Sequence, residues 1–210
     1  TSGSDNVAVG YHALSAEDGN GGNVAVGKFA LLSQNAGADA YNVAIGFEAG
    51  KTISTGTRNT IVGGLAGDAL TTGNYNVALG FGALSTEDAH GANVALGYQT
   101  LLVQNAGADA FNTAVGFQAG LNVSTGVENT IIGGIAGDAL TTGSQNIAIG
   151  YAALSAEDTG GRNIAIGRGA LSAQNYDGNA YNIGIGHSAG ATITTGVSNT
   201  IMGGLAGDAL

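Results

Sequence analysis

The sequence predicts an all-β fold: a parallel β-solenoid of twelve coils of 17–19 residues, grouped in three 70-residue units. Residues 1–70, 71–140 and 141–210 align without a gap, and Gln34–Ala40 (QNAGADA) returns unchanged at Gln104–Ala110. Each unit closes on Ala-Gly-Asp-Ala-Leu, at Ala66–Leu70, Ala136–Leu140 and Ala206–Leu210. Within a unit a shorter phrase, Asn-Val-Ala-Val-Gly and its variants, starts at Asn6, Asn23, Asn42 and Asn59. It restarts at Asn76, Asn93, Asn112, Asn129, Asn146, Asn163, Asn182 and Asn199, with spacings of 17, 19, 17 and 17 that then repeat. One such turn cannot bury its apolar face alone, whereas a stack of them can.

Numbered from its asparagine, each coil begins with a strand. In Asn6–Gly10, Val7 and Val9 point to one side and Ala8 to the other, because side chains alternate along a strand. The first side continues through Val24/Val26, Val43/Ile45 and Thr60/Val62 to Ile183/Ile185 and Thr200/Met202. The opposite column is mostly small: Ala8, Ala25, Ala44 and then Ile61. A strand apolar on both faces needs two covers. One side is expected to pack inside the coil, and the other to admit a neighbouring sheet or chain. The pattern leaves open which is which.

Glycine takes the fifth place of every coil (Gly10, Gly27, Gly46, Gly63 and their counterparts). It is expected to supply a positive φ or a close approach that a Cβ would block. Alanine holds the eighth place (Ala13, Ala30, Ala49, Ala66) except at Thr100, and is expected to start a return strand on the far side of a flattened coil. The asparagines at Asn6, Asn23, Asn42 and Asn59 fit either a ligand column or a stacked ladder at a corner whose backbone tolerates the left-handed conformation; the ladder is the expectation. Between phrases lie turn-forming loops such as Ser15–Gly19, Asn35–Asp39 and Thr71–Gly73. The 19-residue coils place one longer loop in each unit, which should stack into a ridge. With coils ~4.8 Å apart, twelve would span on the order of 58 Å.

Composition narrows the function. Net charge is −10 with five Lys+Arg, which speaks against phosphate-rich nucleic acid and anionic membrane surfaces. Glycine at 39 of 210 residues, without a Gly-X-Y period, is not collagen, and 44% hydrophobic residues are too many for a disordered tract. No apolar run is long enough to span a membrane, and the absence of cysteine removes disulfides and thiolate metal sites. Thr1–Asn6 occupy the phase of Thr71–Asn76, and Leu210 that of Leu70 and Leu140. Because solenoids end in atypical capping repeats, the array is expected to be part of a longer one, or its ends to abut other chains.

Candidate chemistry is sparse. His12, His90 and His187 fall at non-equivalent places and read as solvated loop histidines. Carboxylates recur at Glu17/Asp18, at Asp39 and at Asp68, and these four are the candidate Ca²⁺ ligands by residue type; solvated acidic turns are the expected alternative. Aromatics follow the phrase glycine at Tyr11, Phe47, Phe81, Tyr98, Phe117 and Tyr151, and precede the asparagine at Tyr41, Tyr75, Phe111 and Tyr181. Of these Tyr11, Phe47, Tyr98 and Tyr151 are the candidates for surface binding of sugars, against a role in packing over the coil edge or a chain–chain seam. Gly63–Gly67 lacks the Lys and Ser/Thr of a phosphate loop, and no Ser-His-Asp set has a suitable spacing, so no enzyme and no cofactor is expected. Hexapeptide periodicity fails at Ser15 and Gly21, and threonines are too sparse for an ice-matching face.

The phrase Asn-Val-Ala-Ile-Gly-x-x-Ala at Asn42–Ala49, with variants in all twelve coils, resembles the head repeat of YadA-like trimeric autotransporter adhesins. Ala69–Asn76 and Ala139–Asn146 resemble the related repeats of phage-type tail fibres. The resemblance covers essentially the whole chain. It implies a left-handed parallel β-roll, three chains around a fibre axis, an extracellular, cell-surface or virion location, and a role in attachment. The expected function is a structural fibre segment, a stiff trimeric rod capable of end-to-end assembly. The alternative is a module that binds a glycan or host-surface receptor through its loops and aromatics.

Overall fold

The computed structural model describes residues 3–19 and 21–208; the expectations that rest on Thr1, Ser2, Ala209 and Leu210 lie outside these. Twelve three-residue strands, β1 (Val7–Val9) to β12 (Thr200–Met202), form one parallel sheet in which spatial order equals sequence order. The intermediate strands are β2 (Val24–Val26), β3 (Val43–Ile45), β4 (Thr60–Val62), β5 (Val77–Leu79), β6 (Val94–Leu96), β7 (Thr113–Val115), β8 (Thr130–Ile132), β9 (Ile147–Ile149), β10 (Ile164–Ile166) and β11 (Ile183–Ile185). Register is in phase throughout: Val7 faces Val24, Val24 faces Val43 and Val43 faces Thr60. The β2–β3 pair keeps phase although its coil is two residues longer, so the extra residues are absorbed by the exposed loop around Gly37. The chain is therefore a parallel β-solenoid.

The small column is the inner one. Ala25, Ala44, Ile61, Ala78 and Ala95 are fully buried, whereas Val9, Ile45 and Leu79 are 58%, 40% and 46% exposed. Ala8, in β1, is exposed. The small column belongs inside because the coil is thin: the opposite wall lies so close that a Cβ on Gly184, which takes the alanine place in β11, would sit 2.7 Å from Leu171 Cγ. Volume is traded across the core to hold this thickness. The ninth place carries Leu14 and Leu31, then Gly50 and Gly67, and this alternation recurs in each unit. Where it is glycine, the twelfth place supplies Ile53 or Leu70, and a Cβ on Gly67 would meet Leu70 Cδ1 at 2.9 Å and Ile61 Cδ1 at 3.1 Å. The 70-residue period is thus a packing period, two coils filled from the ninth place and two from the twelfth, each buried Leu or Ile contributing roughly 1.5–3 kcal/mol.

No return strand forms among the described residues. The far side of each coil is a run of turns, with Ala30 N–H bonded to the Gly27 carbonyl at 3.3 Å. The seventh and ninth places are left-handed, as at Phe29 (φ 61°) and Leu31 (φ 47°), and this breaks the extended run expected from Ala30. Coil-to-coil bonding nonetheless continues through the turns, with Phe29 N–H to Tyr11 O at 2.9 Å and Leu31 N–H to Ala49 O at 3.1 Å. The regular inter-coil bonds thus offset the local cost of the left-handed residues, each about 1–2 kcal/mol.

The fifth-place glycines meet both reasons for glycine. Their φ values run from +122° at Gly203 to +142° at Gly46, and a Cβ on Gly46 would lie 2.4 Å from the Gly63 carbonyl oxygen, with the same clash repeated from Gly10 to Gly186. Gly46→Ala is therefore expected to destabilise by at least ~2 kcal/mol, because backbone rather than a movable side chain obstructs it. Gly37 has φ +71° and nothing within 4 Å, so Gly37→Ala should cost only about 1 kcal/mol. Equal denaturant midpoints for the two variants would contradict this reading.

Candidate functional site: a buried polar ladder and an outer apolar face

The asparagines form a ladder inside the coil. Asn23 Oδ1 accepts the Asn42 N–H at 3.0 Å, Asn42 Oδ1 the Asn59 N–H at 2.8 Å and Asn59 Oδ1 the Asn76 N–H at 2.9 Å. Asn6 begins the series by accepting from the Asn23 N–H at 2.9 Å. Most of the amide nitrogens are consumed as well, Asn59 Nδ2 donating to the Gly73 carbonyl at 2.8 Å, while those of Asn93 and Asn163 are buried without a hydrogen-bond partner. With Asn23, Asn42 and Asn59 fully buried, these groups support the fold and present nothing to a ligand. The left-handed residue is the one before the asparagine (Tyr41, φ 54°; Arg58, φ 59°), not the asparagine itself.

The twelfth place holds what the sequence does not disclose. Where Leu fills the ninth place, the twelfth is Glu17, Gln34, Glu87, Gln104, Glu157 or Gln174, and all six are buried. The expectation of solvated acidic turns thus fails at Glu17, Glu87 and Glu157. Each glutamine is held by the ladder, with Asn42 Nδ2 donating to Gln34 Oε1 at 2.7 Å. Glu157 accepts the Gly160 N–H at 2.8 Å and the Tyr176 N–H at 3.4 Å, and Asn23 Nδ2 donates to Glu17 Oε2 at 3.5 Å. The candidate Ca²⁺ ligands do not gather: Asp18 is exposed, Asp39 Oδ1 accepts the Gly21 N–H at 3.0 Å, and Asp68 is half-buried in another coil. Among the described residues the acidic group that does gather is Glu87 with Asp88 and His90.

Burial raises the carboxyl groups of Glu87 and Glu157 above the ordinary 4.5, and those of Asp68 and Asp138 above 3.8; backbone hydrogen bonds oppose the shift without cancelling it.

The outer face of the sheet is largely apolar, interrupted by Thr60, Thr113, Thr130 and Thr200, and is uncovered in the single chain. Among the described residues, Val7, Val9, Ile45, Leu79, Ile132 and Met202 are exposed on its two outward columns. Aromatics flank the strands. Tyr11, Phe47, Tyr98 and Tyr151 are 64%, 49%, 44% and 54% exposed. Tyr98 stacks between Phe81 and Phe117 at centroid distances of 5.9 and 5.4 Å, which occupies both faces of its ring. The second, fourth and sixth places carry no acidic residue in any coil. All five basic residues lie against rings: Lys28 4.9 Å from Phe29, Lys51 5.9 Å from Phe29, Arg58 5.6 Å from Tyr75, Arg162 5.5 Å from Tyr181 and Arg168 5.6 Å from Tyr151.

Comparison with family models, with curated proteins and with solved structures finds no match to this chain. Among the described residues no helix is long and apolar enough to cross a membrane.

The buried acids set a pH dependence. A carboxyl whose folded pKa is raised binds protons more tightly in the native state, so its stability contribution is greatest near and below the unfolded value of 4.5 and is lost as pH rises through the folded value. Wild type should lose stability relative to Glu157→Gln as pH rises above 4.5 in urea unfolding. A difference that stays constant, or reverses, with pH would contradict the assignment.

Proposed function

We propose that the chain is a structural segment of an extracellular fibre, at a cell or virion surface, in which three copies associate through the outer faces of their sheets. The observation that carries this is the exposed apolar face between β1 and β12. Eleven steps of ~4.8 Å by the roughly 10 Å of a three-residue strand give on the order of 500 Å², and the flanking aromatic columns widen the face toward the roughly 800 Å² each partner contributes to a stable interface. Apolar patches of this size on soluble proteins mark contacts with other molecules. Charge favours a second copy as the occupant: acids are absent from the second, fourth and sixth places, while Asp18, Asp39, Asp88 and Asp109 lie in loops. Copies can therefore meet through apolar columns with their acidic loops outward, where like charge discourages further lateral association. The resemblance to trimeric adhesin heads and tail fibres supports three rather than two. The fibre's work is mechanical, since ladders bonded along the axis resist bending and proteolysis.

Leu79→Lys and Ile132→Lys, at positions 46% and 37% exposed in the single chain, separate the possibilities. The unmodified chain should scatter light as a species of three times 20.3 kDa, and the double variant as one near 20.3 kDa with its circular dichroism retained. A monomeric parent chain would refute the assembly.

A second reading, attachment to a glycan or receptor, is favoured by the exposed loops around Gly37 and Gly107, which lengthen the coil without disturbing register. Replacing both loops with Gly/Ser sequence should abolish surface attachment if they carry recognition; full attachment afterwards would remove that reading.

A further inference from the structure

We propose that Glu87, Asp88 and His90 form a site for one borderline divalent metal ion of the zinc type, present in the middle unit and separate from the apolar face. Each of the three residues offers a ligand atom within 4.8 Å of the other two. Glu87 is fully buried, and its Oε2 and the Nδ1 of His90 are both shielded from solvent without a hydrogen-bond partner. A buried carboxylate oxygen without a partner, beside an imidazole nitrogen whose only contact is a long ion pair to the other carboxylate oxygen, marks a place that a cation would fill. Glu87 Oε1 lies 3.5 Å from His90 Nδ1, close to the about 3.4 Å between two ligands sharing a tetrahedral zinc with bonds near 2.1 Å.

The backbone around the site is already fixed. The Asp88 carbonyl accepts from Thr71 Oγ1 at 2.7 Å, the His90 carbonyl accepts from Asn76 Nδ2 at 3.1 Å, and the His90 N–H donates to Glu87 Oε1 at 3.2 Å. The donor set selects the metal. One imidazole nitrogen and two carboxylates suit zinc and its neighbours, leaving a fourth place for water, whereas calcium wants six to eight oxygens and magnesium an octahedron of them. The site belongs to this unit alone, because Gly160 holds the equivalent place in the third unit and Asn20 in the first.

The test is calorimetric titration of ZnCl₂ into the chelator-treated full chain, with CaCl₂ and MgCl₂ in parallel. One equivalent of zinc should bind per chain and raise the unfolding temperature with increasing metal, while calcium and magnesium do neither. His90→Asn, which places there the residue of the first unit, should weaken binding at least ~tenfold, as should Glu87→Gln. Glu157→Gln, at the equivalent glutamate that has no histidine beside it, should bind as the parent chain does. Absence of saturable zinc binding, or binding that His90→Asn leaves unchanged, would overturn the proposal. Since His90 lies in a loop, its variant decides the matter even if Glu87→Gln unfolds.

Discussion

Each coil rests on the next through a buried asparagine whose side-chain oxygen accepts the backbone N–H of the asparagine one coil on. The bond recurs from Asn6–Asn23 to Asn182–Asn199 at 2.8–3.2 Å. It satisfies a backbone donor at the corner where the strand begins, a group that would otherwise be buried without a partner. Because the acceptor is a side chain of fixed reach, it also fixes the height of one coil above another. Strand register, the fit of glycine against glycine and the direct stacking of equivalent residues all follow from that height. The glycines follow most strictly, since a Cβ on Gly27 would lie 2.2 Å from the Gly46 carbonyl oxygen.

How much of this could be read from the sequence depended on whether a residue's role is repeated at its own contacts. Asn42 touches Asn59, and Gly46 touches Gly63, so their periodic identity displayed the ladder directly. The strands and their in-phase pairing were legible for the same reason. The side of the sheet that faces inward was not, because Val43 and Ala44 are both apolar and alternation names two faces without ranking them. The thickness of the coil decides it, through residues such as Leu171 on the opposite wall. The missing return strand was equally hidden. Its left-handed places are held by Phe29, Glu48 and Leu65, residue types with no local preference for that conformation, which stacking imposes on them. Glu87 stood in a polar run beside Asp88 and read as surface. Only the packing trade with Leu84 at the ninth place shows that its side chain turns inward, and with it His90 changes from a solvated loop residue to a neighbour of a buried carboxylate.

The two walls of the solenoid divide its work. The inner one is closed: small residues, traded volumes and a hydrogen-bonded ladder leave little room for a ligand. The outer face of the sheet is open and apolar, flanked by aromatics that stack along the axis and by cations laid against rings. Stacking between Phe81, Tyr98 and Phe117 gives this strip the same axial repeat as the strands, which suits contact with another rod of the same repeat. A copy of the chain has that repeat by construction, and a flexible glycan does not. The structural reading of the fibre therefore draws on the same coil-to-coil spacing that the asparagines set.

Electron microscopy of the purified chain, averaged in projection down the rod, tests that account most directly. The account requires three solenoids around one axis, with the Val and Ile columns of β1 to β12 turned toward it and the loops around Gly37 and Gly107 at the periphery. A single thin solenoid, or copies that meet through their loops and leave the sheet faces in solvent, would contradict it.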